Sequence, residues 1–254
     1  MVSRWNMECQ YIRNRIWMIK KMCNNMTEQE YIKKQLDLKN KIERTNTVDL
    51  GRLETVAGVD LAYWEQDGRE YAVCCIVVIN YRTFEIIEKV SHKDMISVPY
   101  IPGCLAFREI PLFMETYKQL KLIPDVVFFD GNGYLHPRHM GLATHAGILI
   151  RRPTVGIAKS YYKVADVDFD MPQNKEGAFT DIEINGEIYG RVLRTHADVK
   201  PIFLSIGNAV DLDTAMEMTN HLTTKEAHIP LPTRLADIMT HEKRKEYQCR
   251  IRKA

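Results

Sequence analysis

Four consecutive apolar residues, Val126-Val127-Phe128-Phe129, run straight into Asp130-Gly131. A strand with apolar side chains pointing both ways must be covered on both faces. That requirement places it inside a sheet flanked by helices. It also makes the abrupt acid at its end conspicuous, because ligands in such sheets gather at the carboxyl ends of strands.

The surrounding pattern fills in the sheet. Val56–Tyr63, Tyr71–Tyr81 and Phe84–Val90 read as strands, with turns at Gln66-Asp67-Gly68 and Asn80–Thr83 between them. Links this short favour an antiparallel meander. Ile110, Phe113, Met114, Tyr117 and Leu120 recur at three- and four-residue steps, the mark of an amphipathic helix. Past Asp130 come a helix over Gly141–Ile150 and a buried strand over Thr154–Ala158. Ile182–Arg194 reads as a hairpin turning at Asn185-Gly186. A strand over Ile202–Ile206 and helices over Asp211–Leu222 and Arg234–Gln248 follow. The fold class is α/β, a central mixed sheet (meander first, parallel strands after) flanked by helices.

Thr27 and Glu30 form a capping box that starts a helix running to about Glu43. Residues 27–254 are read as one domain. Residues 1–26 are read as a basic extension, with Arg4, Arg13, Arg15, Lys20 and Lys21 against one acid, Glu8. It fits either a start placed upstream of Met18, Met22 or Met26, or an arm that touches phosphates. Its longest apolar stretch, Ile16–Ile19, is too short for an export signal. No run is long enough to span a membrane. None of the six cysteines forms a C-x-x-C pair. Reduced thiols and a cytoplasmic location are expected. The net charge of +2 predicts no global affinity for nucleic acid, so any basic surface is local.

Three acids stand out. Asp60, in Gly58-Val59-Asp60, interrupts an apolar strand, where a carboxylate is costly unless paired or bound to a cation. Asp130 ends its strand, and Glu109 opens the amphipathic helix. If the strands of Asp60 and Asp130 are neighbours, the carboxylates repel, and a hard divalent ion such as Mg2+ relieves the repulsion. Lys159 follows the Thr154–Ala158 strand, where it is either a solvated lysine or, beside a carboxylate cluster, a group that can hold a phosphate. His136, Arg138 and His139 follow the glycines of Asp130-Gly131-Asn132-Gly133 and can donate to phosphate. A zinc site on His136, His139 and His145 ranks lower, because no thiolate or nearby acid completes it. In Pro99-Tyr100-Ile101-Pro102, two prolines stiffen an apolar tip. Such a tip can enter a base stack, or Tyr100 and Ile101 can pack on the core. Residue chemistry leaves both open.

Together these segments resemble the endonuclease V family. Gly58-Val59-Asp60, Pro99–Gly103 with Phe107-Arg108-Glu109, Asp130-Gly131-x-Gly133-x-x-His136-Pro137-Arg138, Gly156-Ile157-Ala158-Lys159 and Ile229–Arg234 occur in that family's order and approximate spacing. The resemblance implies a ribonuclease H-like fold and cleavage of the second phosphodiester bond 3′ to inosine, leaving 3′-hydroxyl and 5′-phosphate ends. It implies Mg2+, with Mn2+ as a substitute. Asp60 and Asp130 become metal ligands, with Glu109 completing the acidic set, and Lys159 becomes the active-site lysine. Pro99, Tyr100, Ile101 and Pro102 become a strand-separating wedge. The base pocket falls on Gly103, Leu105, Gly131, Gly133, His136 and Gly141. Inosine-containing DNA and RNA both fit as substrates, for a chain acting as a monomer. One departure concerns the histidine that many members carry after Ser-x-Gly. Here Asn208 follows Ser205-Ile206-Gly207 and is assigned to water positioning. That change motivates an alternative, an inosine-binding module with weakened catalysis.

Overall fold

Residues 26–251 are described by a computed structural model. Most of the basic extension therefore lies outside the described residues. Helix α1, Glu28–Lys39, begins at the expected box: Glu30 N donates to Thr27 Oγ1 at 3.3 Å, and Thr27 N donates to Glu30 Oε2 at 2.7 Å. The meander follows as β1 (Thr55–Gln66), β2 (Arg69–Asn80) and β3 (Ile86–Met95). Then come α2 (Leu105–Tyr117), β4 (Val126–Asp130), α3 (Leu142–Ile150) and β5 (Thr154–Ala158). Strands β6 (Phe179–Ile184), β7 (Glu187–Leu193) and β8 (Ile202–Asn208) precede α4 (Leu212–Leu222) and α5 (Leu231–Ile251).

All eight strands form one sheet in the order β3-β2-β1-β4-β5-β8-β7-β6. Strand β4 pairs parallel with β1 and β5, while the outer strands pair antiparallel. The double-sided burial expected of β4 holds. Val127 and Phe129 pack with α2 and α3 on one face, and Val126 and Phe128 pack with α4 and α5 on the other. Cys74 and Cys75 likewise separate to opposite faces of β2. The hairpin turns where expected, with Asn185 and Gly186 at φ 54° and 79°, the left-handed region that Asn-Gly tolerates.

Several boundaries differ from the sequence reading, among them the end of α1, at Lys39 rather than near Glu43. Strand β3 starts after Phe84, whose φ of 63° places it in the turn while its ring packs against the α4 side of the core. Helix α5 starts at Leu231 rather than Arg234; Pro232 fits its first turn, where the missing N–H costs nothing. Helix α2 starts at Leu105, so Glu109 is in its second turn and buried, rather than at the helix start. No helix among the described residues is long and apolar enough to cross a membrane.

Candidate active site

Side chains alternate along β1, so Gly58 and Asp60 share a face with Val56, which packs on the α4 and α5 side. A Cβ on Gly58 would lie 2.0 Å from Pro232 O and 2.5 Å from Thr233 N. The glycine thus lets the backbone of the first α5 turn rest directly on β1. From that contact, helical spacing aims Asp237 and Thr240 along the same face as Thr233. Thr240 Oγ1 donates to Asp60 Oδ2 at 2.7 Å. Parallel pairing of Val59 with Phe129 sets Asp60 beside Asp130.

Asp60, Asp130 and Asp237 converge, with one carboxylate oxygen from each within 4.8 Å of the others. Lys159 Nζ lies 2.7 Å from Asp130 Oδ2 and 3.1 Å from Asp237 Oδ1. Sequence reasoning named Asp60, Asp130 and Lys159 and missed Asp237. The available signal was an acid set among Leu235, Ala236, Ile238 and Met239, four residues after Thr233. Glu109 approaches from α2 and is not one of the three. Its Oε1 accepts from Tyr63 Oη at 2.7 Å.

Burial pushes the Asp60 carboxyl up to about 6 against the Thr240 hydrogen bond, and repulsion from Asp130 and Asp237 adds to the rise. Burial likewise pushes Glu109 up to about 7, opposed by Tyr63 and reinforced by Asp60 and Asp130. Burial works against charge on Lys159, yet its bonds to Asp130 and Asp237 hold it up to about 12. Lys159 thus contacts two of the four carboxyls, Asp130 and Asp237. An all-oxygen, charge-deficient donor set of this kind suits a hard divalent cation.

Beside the acids, Tyr100, Gly103, Leu105, Ala106, Asn132, His136, Met140, Gly141, Leu142 and Tyr162 line a pocket. Four of the residues expected there, Gly103, Leu105, His136 and Gly141, are in its wall. Gly131 and Gly133 are not. Gly131 N bonds Ile157 O at 2.9 Å, and a Cβ on Gly133 would meet Ile206 O at 2.1 Å. These two glycines seat the loop on β5 and β8 instead. Both nitrogens of His136 are engaged: Nδ1 accepts from Arg138 N at 3.2 Å and Met140 N at 3.3 Å, so Nε2 carries the proton and donates to Gly103 O at 3.0 Å. Burial lowers this imidazole to about 4. His136, His139 and His145 do not gather into a metal site among the described residues.

At the tip of the Pro99–Pro102 loop, Tyr100 is 65% exposed, while Ile101 packs beside Tyr31, Val98, Cys104 and Phe107. The two side chains therefore divide the alternatives left open by the sequence. Arg108 Nη1 anchors the loop by donating to Val98 O at 2.6 Å. Asn208 pairs with Thr154 at the start of β5, the end opposite Ala158 and Lys159. Its Oδ1 accepts from Glu43 N at 2.9 Å. The water-positioning role expected for Asn208 is withdrawn on this geometry, and with it the motive for a catalytically weakened module.

A mixed sheet of this order, with Asp60 in the middle of β1 beside Asp130 at the end of β4, is a ribonuclease H-like fold. Residues 34–238 match the family model described as Endonuclease V. The chain belongs to the endonuclease V family. It is 54% identical over 221 residues to endonuclease V of Bacillus subtilis, covering 87% of this chain and 93% of the relative. The crystal structure of the B. subtilis protein matches with a TM-score of 0.87 at 53% identity, over 89% of this chain and 95% of that one. Ciona intestinalis endonuclease V, crystallised with a 24mer DNA containing an inosine followed by a ribo-adenosine, matches with a TM-score of 0.75 at 29% identity, over 86% and 98%.

Proposed function

We propose that this chain is a Mg2+-dependent repair endonuclease, with Mn2+ able to substitute, that acts as a cytoplasmic monomer. It extrudes inosine and hydrolyses the second phosphodiester bond on its 3′ side, leaving 3′-hydroxyl and 5′-phosphate ends. One observation carries the reading: the segment from Asp130 to Gly141 begins in the acidic cluster and continues as a wall of the pocket. A purine held in that pocket keeps its own backbone within reach of the acids. The Ciona relative bound to inosine-containing DNA supports the choice of base.

Asp60, Asp130 and Asp237 would hold the cation, with Glu109 contributing from behind. A bound divalent ion supplies Lewis acidity toward phosphate oxygens and acidifies water. Lys159 offsets negative charge that develops on the phosphate. Tyr100 would fill the gap left by the extruded base, backed by Pro99, Ile101 and Pro102. Hypoxanthine differs from adenine in its 6-oxo group and N1–H. With both His136 nitrogens engaged, reading of that edge falls to backbone groups of the pocket wall and to Asn132, whose buried Oδ1 has no hydrogen-bond partner among the described residues.

Labelled strands containing inosine or adenosine test the reading in Mg2+ and then in chelator, with DNA and RNA versions run side by side. Cleavage only at inosine and only with metal is expected. Equal cutting of both strands, or products in chelator, would reject it. Tyr100→Ala should leave the melting temperature unchanged, since the ring is exposed. It should slow duplex cleavage about tenfold, and single-strand cleavage much less, given base-stacking contributions of roughly 1–3 kcal/mol. A loss of the same size on both substrates would remove the wedge assignment.

The raised carboxyls also predict how metal and pH act together. With Asp60 near 6 instead of 3.8, and Glu109 near 7 instead of 4.5, the folded state binds more protons than the unfolded state between these values. Their stabilising contribution is therefore fully present below about pH 4 and lost as pH rises through 6 to 7 in metal-free protein. Mg2+ should raise the melting temperature by several degrees at pH 8 and very little at pH 5. Thermal melts across pH with Mg2+ or chelator decide it; an increment that ignores pH contradicts the charge-deficient cluster.

A further inference from the structure

Helix α1 reaches the pocket through one fully buried side chain. Gln35 is 0% exposed. Its Nε2 donates to Gly103 O at 2.9 Å and to Met140 O at 3.4 Å, while its Oε1 accepts from Arg138 Nε at 2.5 Å. The same Gly103 carbonyl collects two more donors, Arg138 Nη2 at 2.8 Å and His136 Nε2 at 3.0 Å. A carbonyl oxygen has two lone pairs, so the three donors share its two acceptor positions and together hold this peptide plane. The residue itself sits at φ 74°, and a Cβ there would meet Arg138 Nη2 at 2.8 Å.

The position of this hub gives it consequence. Upstream of Gly103 lies the wedge loop; downstream, Leu105 and Ala106 form one pocket wall at the start of the helix that carries Glu109. Met140, the other carbonyl bound by Gln35, lines the same pocket from the segment that leads into Gly141. Gln35 therefore bridges these two wall segments from a helix that supplies neither an acid nor a lining residue.

We infer that Gln35 is a positioning residue that sets the gap between the two walls, and through that gap the preference for a 6-oxopurine over a 6-aminopurine. This deepens the inosine reading and rests on it. Both halves of the amide are needed. The donor half holds Gly103 and Met140, and the acceptor half turns Arg138 toward Gly103. Gln35→Glu keeps the contact with Arg138 but sets a carboxylate against two carbonyl oxygens. Gln35→Leu fills similar volume and makes neither contact.

Single-turnover cleavage of inosine and adenosine strands is measured against enzyme concentration and against Mg2+ concentration, with hydrogen exchange followed over residues 99–106 and 136–142. Both variants should need about tenfold more enzyme for half-maximal cutting of the inosine strand, as expected when buried amide contacts are lost. The preference for inosine should shrink. The rate at saturation and the Mg2+ requirement should stay within about twofold of the unmodified chain. Exchange should quicken in both segments and not in β1 or β4. An unchanged preference overturns the inference. So does a parallel loss of saturating rate and Mg2+ response, or failure of both variants to fold, because each makes Gln35 a core residue only. If the unmodified chain ignores inosine, the substrate reading fails instead, and the exchange comparison still decides whether Gln35 ties the walls.

Discussion

Replacing Asp237 with alanine should slow cleavage by roughly a thousandfold or more, while binding of an inosine strand changes only a few-fold. The substitution removes one of the three carboxylates that converge within 4.8 Å. It also frees Lys159 from its 3.1 Å contact, leaving the ammonium wholly on Asp130. Fewer donors and a less opposed positive charge both weaken hold on a cation. Asp60→Ala and Asp130→Ala should abolish cutting in the same way. A further sign separates this from general damage. Removing one of several repelling carboxylates should raise the melting temperature of metal-free protein even as activity disappears. Single-turnover rates against Mg2+, with melts in chelator, test both parts; turnover retained at the unmodified level removes Asp237 from the centre.

Gly58→Ala should cost about 3 kcal/mol or more of stability and most of the activity. The new methyl carbon would stand 2.0 Å from Pro232 O and 2.5 Å from Thr233 N. Those are backbone atoms in the first turn of α5, and they cannot swing aside as a side chain would. Either β1 sinks or α5 lifts, and lifting carries Asp237 and Thr240 away from Asp60. Gly186→Ala is the control. It is strained at φ 79° but has nothing within 4 Å of the added carbon, so it should lose about 1 kcal/mol and cut normally. Melting temperature and Mg2+-dependent rate, measured on both, decide it. A Gly58→Ala chain that melts and cuts like the parent contradicts the close approach.

What the sequence disclosed depended on how far each signal reaches. An unbroken apolar run locates β4 because double-sided burial is a property of the strand itself. Asn185-Gly186 locates a turn because left-handed backbone is local. Asp60 could be singled out because an acid in an apolar strand needs a partner. Asp237 and Gln35 are marked less strongly. Both are single polar residues on helices, and their meaning comes from what lies opposite: β1 in one case, the Gly103 carbonyl in the other. The same gap explains Gly131 and Gly133, where small size was legible but not the strands they seat against. It also explains Asn208, whose neighbourhood in sequence said nothing of its distance from the acids along β5.

Helix α5 closes the centre from the far end of the polypeptide. A product halted before Leu231 still contains every strand of the sheet and the residues that line the pocket, but only two of the three aspartates. The acidic triad is therefore completed only by a helix that follows every strand of the sheet in the chain.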